Sequence, residues 1–167
     1  MTAGPLSIRP ATPGDATVLW AMLQPVFRAG DTYAVDPAIS REDALAYWTG
    51  SDHHVFIAED AAPLGTYYLK TNQQGGGAHV CNAAFVTAEA ARGKGVARAM
   101  LDHALITAKE TGYEAMQFNF VVAANTRAVD LWTHAGFETV GRLPKAFRLP
   151  DGAYTDALVM HRFLGKA

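Results

Sequence analysis

The stretch Arg92-Gly93-Lys94-Gly95-Val96-Ala97 lies between an apolar run at 79–86 and a long helical pattern that Gly112 ends. Gly93 and Gly95 leave room for an anion to approach the backbone, and Arg92 and Lys94 add positive charge. Val96 and the small Ala97 stand where the helix opens. A helix start offers unpaired N–H groups and the positive end of its dipole, which together hold phosphate oxygens. Hydrogen bonds to a charged group contribute about 1.5–3 kcal/mol each, so a few such amides anchor a diphosphate. Two rival phosphate motifs fit poorly. A P-loop needs Ser or Thr after its lysine, and Gly95 follows Lys94. A dinucleotide fingerprint needs Gly or Ala three residues after Gly95, and Arg98 stands there.

Working outward, the pattern predicts a helix over 92–111, with strands over 79–86 before it and 115–122 after it. A helix over 126–135, ended by Gly136, precedes strands over 137–141 and 157–163. Towards the N-terminus, Leu6 and Ile8 alternate in a strand over 6–9 that Pro10 and Pro13 close. Asp15 is placed to cap a helix carrying Val18, Leu19, Met22 and Leu23, and Pro25 predicts a kink or stop. Residues 30–39 read as loop. Ser40-Arg41-Glu42-Asp43 has the pattern of a helix start. Strands over 54–59 and 64–70 flank a short turn, and 72–77 is a turn rich in Gln and Gly. Hairpins first and β-α-β-α-β later predict an α/β (α+β) mixed sheet with helices on both faces. No repeat or linker interrupts the chain, so one domain is expected over 1–167.

Half of the 167 residues are hydrophobic and 18% are charged, which marks a folded chain. The net charge is −2 and no basic stripe stands out, which argues against nucleic acid as a partner. One cysteine, Cys81, excludes an intrachain disulfide, and a buried small hydrophobe is its expected role. The first ten residues lack a signal-peptide pattern, and no apolar run is long enough to span a bilayer. A soluble, cytoplasmic protein with no membrane partner is expected. The six histidines show no metal-ligand spacing, so no metal is expected.

Arg92 to Ala97 also fits R/Q-x-x-G-x-G/A, the acetyl-CoA diphosphate motif of the GNAT acetyltransferases. Asn125-Thr126-Arg127-Ala128-Val129-Asp130-Leu131-Trp132, continuing to Gly136-Phe137, is similar to the second motif of that superfamily. Ile8-Arg9-Pro10-Ala11 with Asp15-Ala16 resembles its first strand and helix. The resemblance spans nearly the whole chain. It implies the GNAT acyl-CoA N-acyltransferase fold, a twisted sheet splayed into a V, and acetyl-CoA as co-substrate. It also implies cofactor contacts at Phe85, Val86 and Thr87 on the strand before the turn, and a homodimer through the last strands.

The resemblance further implies direct attack of a small-molecule amine on the thioester. Many members place a tyrosine acid where this chain has Trp132, whose indole cannot donate a proton usefully; a core anchor is its expected role. Asn125 is the best replacement, its amide donating to the sulfur, although it also reads as a helix N-cap. Asn82 and Asn119 interrupt apolar strands that border the V. A buried amide is costly unless paired, so each either faces the cleft or is a satisfied structural amide at a bulge. With Asn125, their spacing resembles the branch of the superfamily that acetylates proline analogues such as L-azetidine-2-carboxylate. That likeness implies that Asn82 and Asn119 hold the acceptor. Arg148, Tyr154 and Asp156 lie in a segment able to reach the acceptor, or form a polar loop. Phe118, Phe120 and Val121 read as sheet core. A non-catalytic acyl-CoA sensor and a protein or peptide N-acetyltransferase remain alternatives.

Overall fold

A computed structural model describes residues 5–165, so the outermost residues of the expected domain lie outside it. The elements run β1 (Ser7–Pro10), α1 (Ala16–Ala29), α2 (Arg41–Trp48), β2 (His54–Glu59), β3 (Pro63–Thr71) and β4 (Val80–Thr87). Then come α3 (Val96–Thr111), β5 (Ala115–Val122), α4 (Thr126–His134), β6 (Glu138–Arg148) and β7 (Tyr154–Phe163). The strands form one seven-stranded mixed sheet in the order β1-β2-β3-β4-β5-β7-β6. Among the described residues, only the β4–β5 pair is parallel.

Each face of the sheet carries a core. On one, Leu19, Leu23 and Phe27 of α1 and Trp48 of α2 cover Ile57, Tyr68 and Val86. On the other, Val96, Met100, Leu101 and Ala104 of α3 and Trp132 of α4 cover Tyr67, Leu69, Ala83 and Phe118. Trp48 Nε1 donates to Thr66 Oγ1 at 3.1 Å, and that hydroxyl donates to the Phe56 carbonyl at 2.8 Å, so a buried polar pair is satisfied.

Several boundaries move. The helix expected from Arg92 starts at Val96, because Gly93 and Gly95 hold φ of 75° and 79°, outside the helical region. Pro25 does not stop α1, which runs on to Gly30 in the left-handed conformation. The last two strands are longer than expected and form a hairpin, with Arg148 paired to Tyr154. Phe120 is not core. β5 carries one extra residue between Phe118 and Val121 relative to β7, and this bulge leaves Phe120 36% exposed.

Asp15 does not cap α1 through its side chain. Its carboxylate accepts from the Thr12 N–H at 2.7 Å and takes both terminal nitrogens of Arg9 at 2.9 and 3.0 Å, while Arg9 also reaches Glu59. The Arg9 hydrogen bonds, then the Thr12 amide, hold the Asp15 carboxyl well below the usual carboxylate range. A lowered pKa in the folded state adds stability above the unfolded value near 3.9, and that gain is lost as pH falls below it. Asp15→Asn is therefore expected to cost about 1–2 kcal/mol at pH 7. In thermal melts its gap to the wild type should narrow as pH drops below about 4; a constant gap would remove charge from the explanation.

Candidate active site

β4 and β5 pair only at Val80↔Ala115 and Cys81↔Met116, and then part. The backbone parity of β4 follows from the bonds at its ends. The Ala88 N–H donates to Leu64 and Asn72 to the Val80 carbonyl, so even-numbered residues exchange bonds with β3. The His79 carbonyl accepts from Glu114, so odd-numbered residues point at β5. Beyond Cys81, the peptide groups of Ala83, Phe85 and Thr87 thus face the opening V. This separates the expected cofactor contacts. Phe85 and Thr87 present backbone groups to the cleft, whereas those of Val86 are engaged with β3 and its side chain is buried against α1.

A cleft of about 850 Å³ fills the V. Arg92, Gly93, Gly95, Val96 and Ala97 line one end; Asn82, Asn119 and Asn125 line it as well. Lys94 sits on the exposed turn and is not part of the walls. An added Cβ at Gly93 or Gly95 would meet nothing within 4 Å, so the space beside the turn is open. No side chain caps α3, so its first-turn amides remain open to a ligand. The start of α4 also reaches the cleft, through Asn125, Arg127 and Ala128.

Asn125 is the N-cap of α4, its Oδ1 accepting from the Ala128 N–H at 3.3 Å. That leaves its Nδ2 donor without a hydrogen bond among the described residues. Asn82 sits where the strands part, its Nδ2 donating to the Gln117 carbonyl at 2.9 Å. The amide stands in for the ladder bond that the splay removes, and its Oδ1 has no partner among the described residues. Asn119 lies at the bulge and is exposed. It donates to Asn72 Oδ1 at 2.6 Å and accepts from Gln117 Nε2 at 3.0 Å. Both expected readings thus apply to each: a structural hydrogen bond and a place in the cleft wall.

Arg148 and Tyr154 are not in the cleft walls. They pair at the end of the β6–β7 hairpin, the guanidinium lying 5.8 Å from the ring centroid. Asp156 is likewise engaged elsewhere, accepting from Arg142 at 2.8 Å and from the Lys145 N–H at 2.9 Å across a register shift in β6. Trp132 is 9% exposed and packs 4.8 Å from Phe118 and 5.2 Å from Phe85, as a core anchor should. Burial pushes the Cys81 thiol up to about 12, which removes it as a nucleophile.

Tyr33 was not foreseen. From the loop after α1, its hydroxyl donates to the Phe85 carbonyl at 2.7 Å and accepts from the Phe85 N–H at 3.1 Å. It occupies both backbone polar groups of one residue on the free β4 edge. Burial holds its pKa well above the ordinary tyrosine value, so it stays a neutral phenol. No sequence signal marked it, because a tyrosine in a loop carries no periodicity. Asn72 and Gln117 were missed for a related reason: their role appears only once β3, β4 and β5 lie side by side.

The family model described as acetyltransferase (GNAT) family matches residues 19–137. A GCN5-related N-acetyltransferase from Kribbella flavida is 39% identical; the match covers 95% of this chain and 97% of that one, with a TM-score of 0.88. A phosphinothricin acetyltransferase from Sinorhizobium meliloti, solved in complex with acetyl-CoA, shares the fold at 21% identity and a TM-score of 0.83, over 99% and 90% of the two chains. The N-acetyltransferase aca1 of Schizosaccharomyces pombe is 33% identical over 97 residues, which are 58% of this chain and 46% of that protein. The chain thus spans about half the length of this curated relative.

Tyr33→Phe leaves the Phe85 peptide without its partner. A lost hydrogen bond of this kind costs about 0.5–1.5 kcal/mol, so the ligand-free variant should melt below the wild type. With saturating acetyl-CoA the gap should shrink, since a ligand on the same edge supplies new partners. Equal gaps with and without ligand would show that the ligand does not use Phe85.

Proposed function

The chain belongs to the GNAT acetyltransferase family, and on that premise we propose that it moves the acetyl group of acetyl-CoA onto the amine of a small molecule, an amino acid or a proline analogue. One observation carries this: the free edge of β4 opens, beyond Cys81, into a cleft with a glycine turn at one end and a cluster of amides at the other. The open space at Gly93 and Gly95 and the uncapped start of α3 fit a diphosphate. Acetyl-CoA, when bound, supplies the thioester that the amine attacks.

The chain's own groups divide the remaining work. The amides of Gly93, Gly95, Val96 and Ala97 bind the diphosphate, with Arg92 and Lys94 adding charge. Thr87 holds the pantetheine arm through its backbone, and Phe85 joins it where the arm displaces the Tyr33 hydroxyl. N–H groups of the β4 edge stabilise the negative charge that builds on the carbonyl oxygen. Asn125 Nδ2 donates to the departing sulfur, while its Oδ1 keeps α4 capped. Asn82 Oδ1 and the Asn119 side chain hold the acceptor amine.

That amine must first be neutral. An amine of pKa near 10.4 is neutral in about one molecule in 2,500 at pH 7, a cost of roughly 4.6 kcal/mol. Tyr33, Tyr47 and Tyr68 in the walls do not relieve it as tyrosinates, because burial raises the pKa of all three. The Trp132 indole is no usable acid or base near neutral pH. Asp31 is the one carboxylate among the lining residues, so the proton leaves through it or through water.

Asn125→Asp separates the two jobs of Asn125, since it keeps a capping oxygen and removes the donor. Its expected effect is a fall in kcat of roughly tenfold or more, with Tm nearly kept. An unchanged kcat would exclude the donor role. Asn82→Ala and Asn119→Ala should lower kcat/KM for the acceptor; unchanged values would make both residues structural. Acetyl-CoA binding without thiol release, over a panel of amines and peptides, would favour a sensor. Peptides as the best acceptors would favour a protein N-acetyltransferase.

A homodimer through the last strands is part of the same proposal. β6 is an edge strand with Val140 60% and Leu143 42% exposed, which supports it. Val140→Lys should then shift the elution volume from dimer towards monomer; a wild type already monomeric at high concentration would exclude it.

A further inference from the structure

One group in the cleft has no part in the chemistry above. Lys70 on β3 pairs with Asn82 on β4, and both lie in the cleft wall. Its neighbour two residues back, Tyr68, packs under α1 and α2, as do Ala84 and Val86 beyond Asn82. Strand alternation therefore puts Lys70 and Asn82 side by side on that face, their Cβ atoms about 5 Å apart. The other cations of the wall are Arg92, Arg98 and Arg127, at the glycine turn and the starts of α3 and α4. Lys70 is the cation of the opposite, acceptor end.

Lys70 lies within electrostatic reach of His53, which has Asp52 at 3.3 Å, but its neighbours on the cleft side are neutral. Asn72, Asn82, Gln117 and Asn119 form a hydrogen-bonded run of amides beside it. Arg9, Arg98 and Arg142 each hold a carboxylate. Lys70 forms no ion pair among the described residues, with Asp31 or any other carboxylate. Lys70 is thus a half-buried residue whose ammonium holds none of these carboxylates, which leaves it available to an anionic ligand. Asn82 Oδ1, unpartnered beside it, accepts from an ammonium or amine. A cation and a free acceptor side by side complement a molecule whose carboxylate and amine are separated by one carbon.

We infer that Lys70 is a specificity-determining residue that receives the carboxylate of the acceptor, and that the acceptor is an α-amino acid or an imino acid with a free carboxylate. This rests on the proposed acetyl transfer to a small amine. The same lysine works against peptide N-termini, because the carbon next to their amine carries an uncharged amide.

The test follows thiol release from acetyl-CoA with matched acceptors: L-proline and L-prolinamide, L-alanine and L-alaninamide, and trialanine. Each rate is compared between Lys70→Gln and the wild type, so the lower amine pKa of the amides cancels. For the free acids, kcat/KM should fall about 10- to 100-fold, the range of a lost charged hydrogen bond. For the amides and trialanine it should change by less than about threefold. Acetyl-CoA affinity should hold, and Lys70→Arg should recover part of the loss. An equal fall for acids and amides, or none for the acids, overturns the role of Lys70 and leaves acetyl transfer standing. A wild type that binds acetyl-CoA and releases no thiol with any acceptor sinks the transfer itself, and this inference with it. If Lys70→Gln does not fold, Lys70→Met gives the same ratio.

Discussion

Two parallel strands that stop pairing after two residues create an unusual demand. Beyond Cys81 on β4 and Met116 on β5, the alternate residues that face the inner edge lose their backbone partners. Such groups must find partners, because an unpaired backbone N–H or C=O away from water is costly. The rest of the site is organised around that deficit. Asn82 replaces the first missing bond with its side chain, and Tyr33 takes both groups of Phe85. A ligand with its own amides is the natural partner for the remainder.

The helices supply the other half of the constraint. α3 and α4 follow the two parting strands, so both begin at the mouth of the V. Gly95 in the left-handed conformation turns the chain into α3 without a capping side chain. Asn125 caps α4 with one atom and keeps another free. Charge follows the same geography. Arginines gather at the helix starts, and a single lysine stands among amides at the far end.

Most of the fold was legible because its signals are local. The glycine turn, the Ser40 cap and the runs of α3 and β5 each sit within a few residues of one another, and all appear in the structure. Boundaries that depend on tertiary context were not. Pro25 is tolerated in α1, and β6 and β7 extend because they pair with each other. The candidate site divides the same way. Asn82, Asn119 and Asn125 announce themselves as polar residues in or beside apolar elements. Tyr33, Lys70, Asn72 and Gln117 look ordinary in the chain and gain meaning only from strands far apart in sequence. Arg148 and Tyr154 misled because a polar segment between strands reads as loop, whereas it continues the hairpin.

The extra residue in β5 has a consequence for how this wall can change over generations. At Asn119 and Phe120 the ladder to β7 is already interrupted, so neither side chain is tied to a cross-strand partner by register. Replacing them forfeits no sheet bonds. Over generations the side chains of this patch can therefore change at the expense of the hydrogen bonds from Asn119 to Asn72 and Gln117, while the sheet beneath stays as it is.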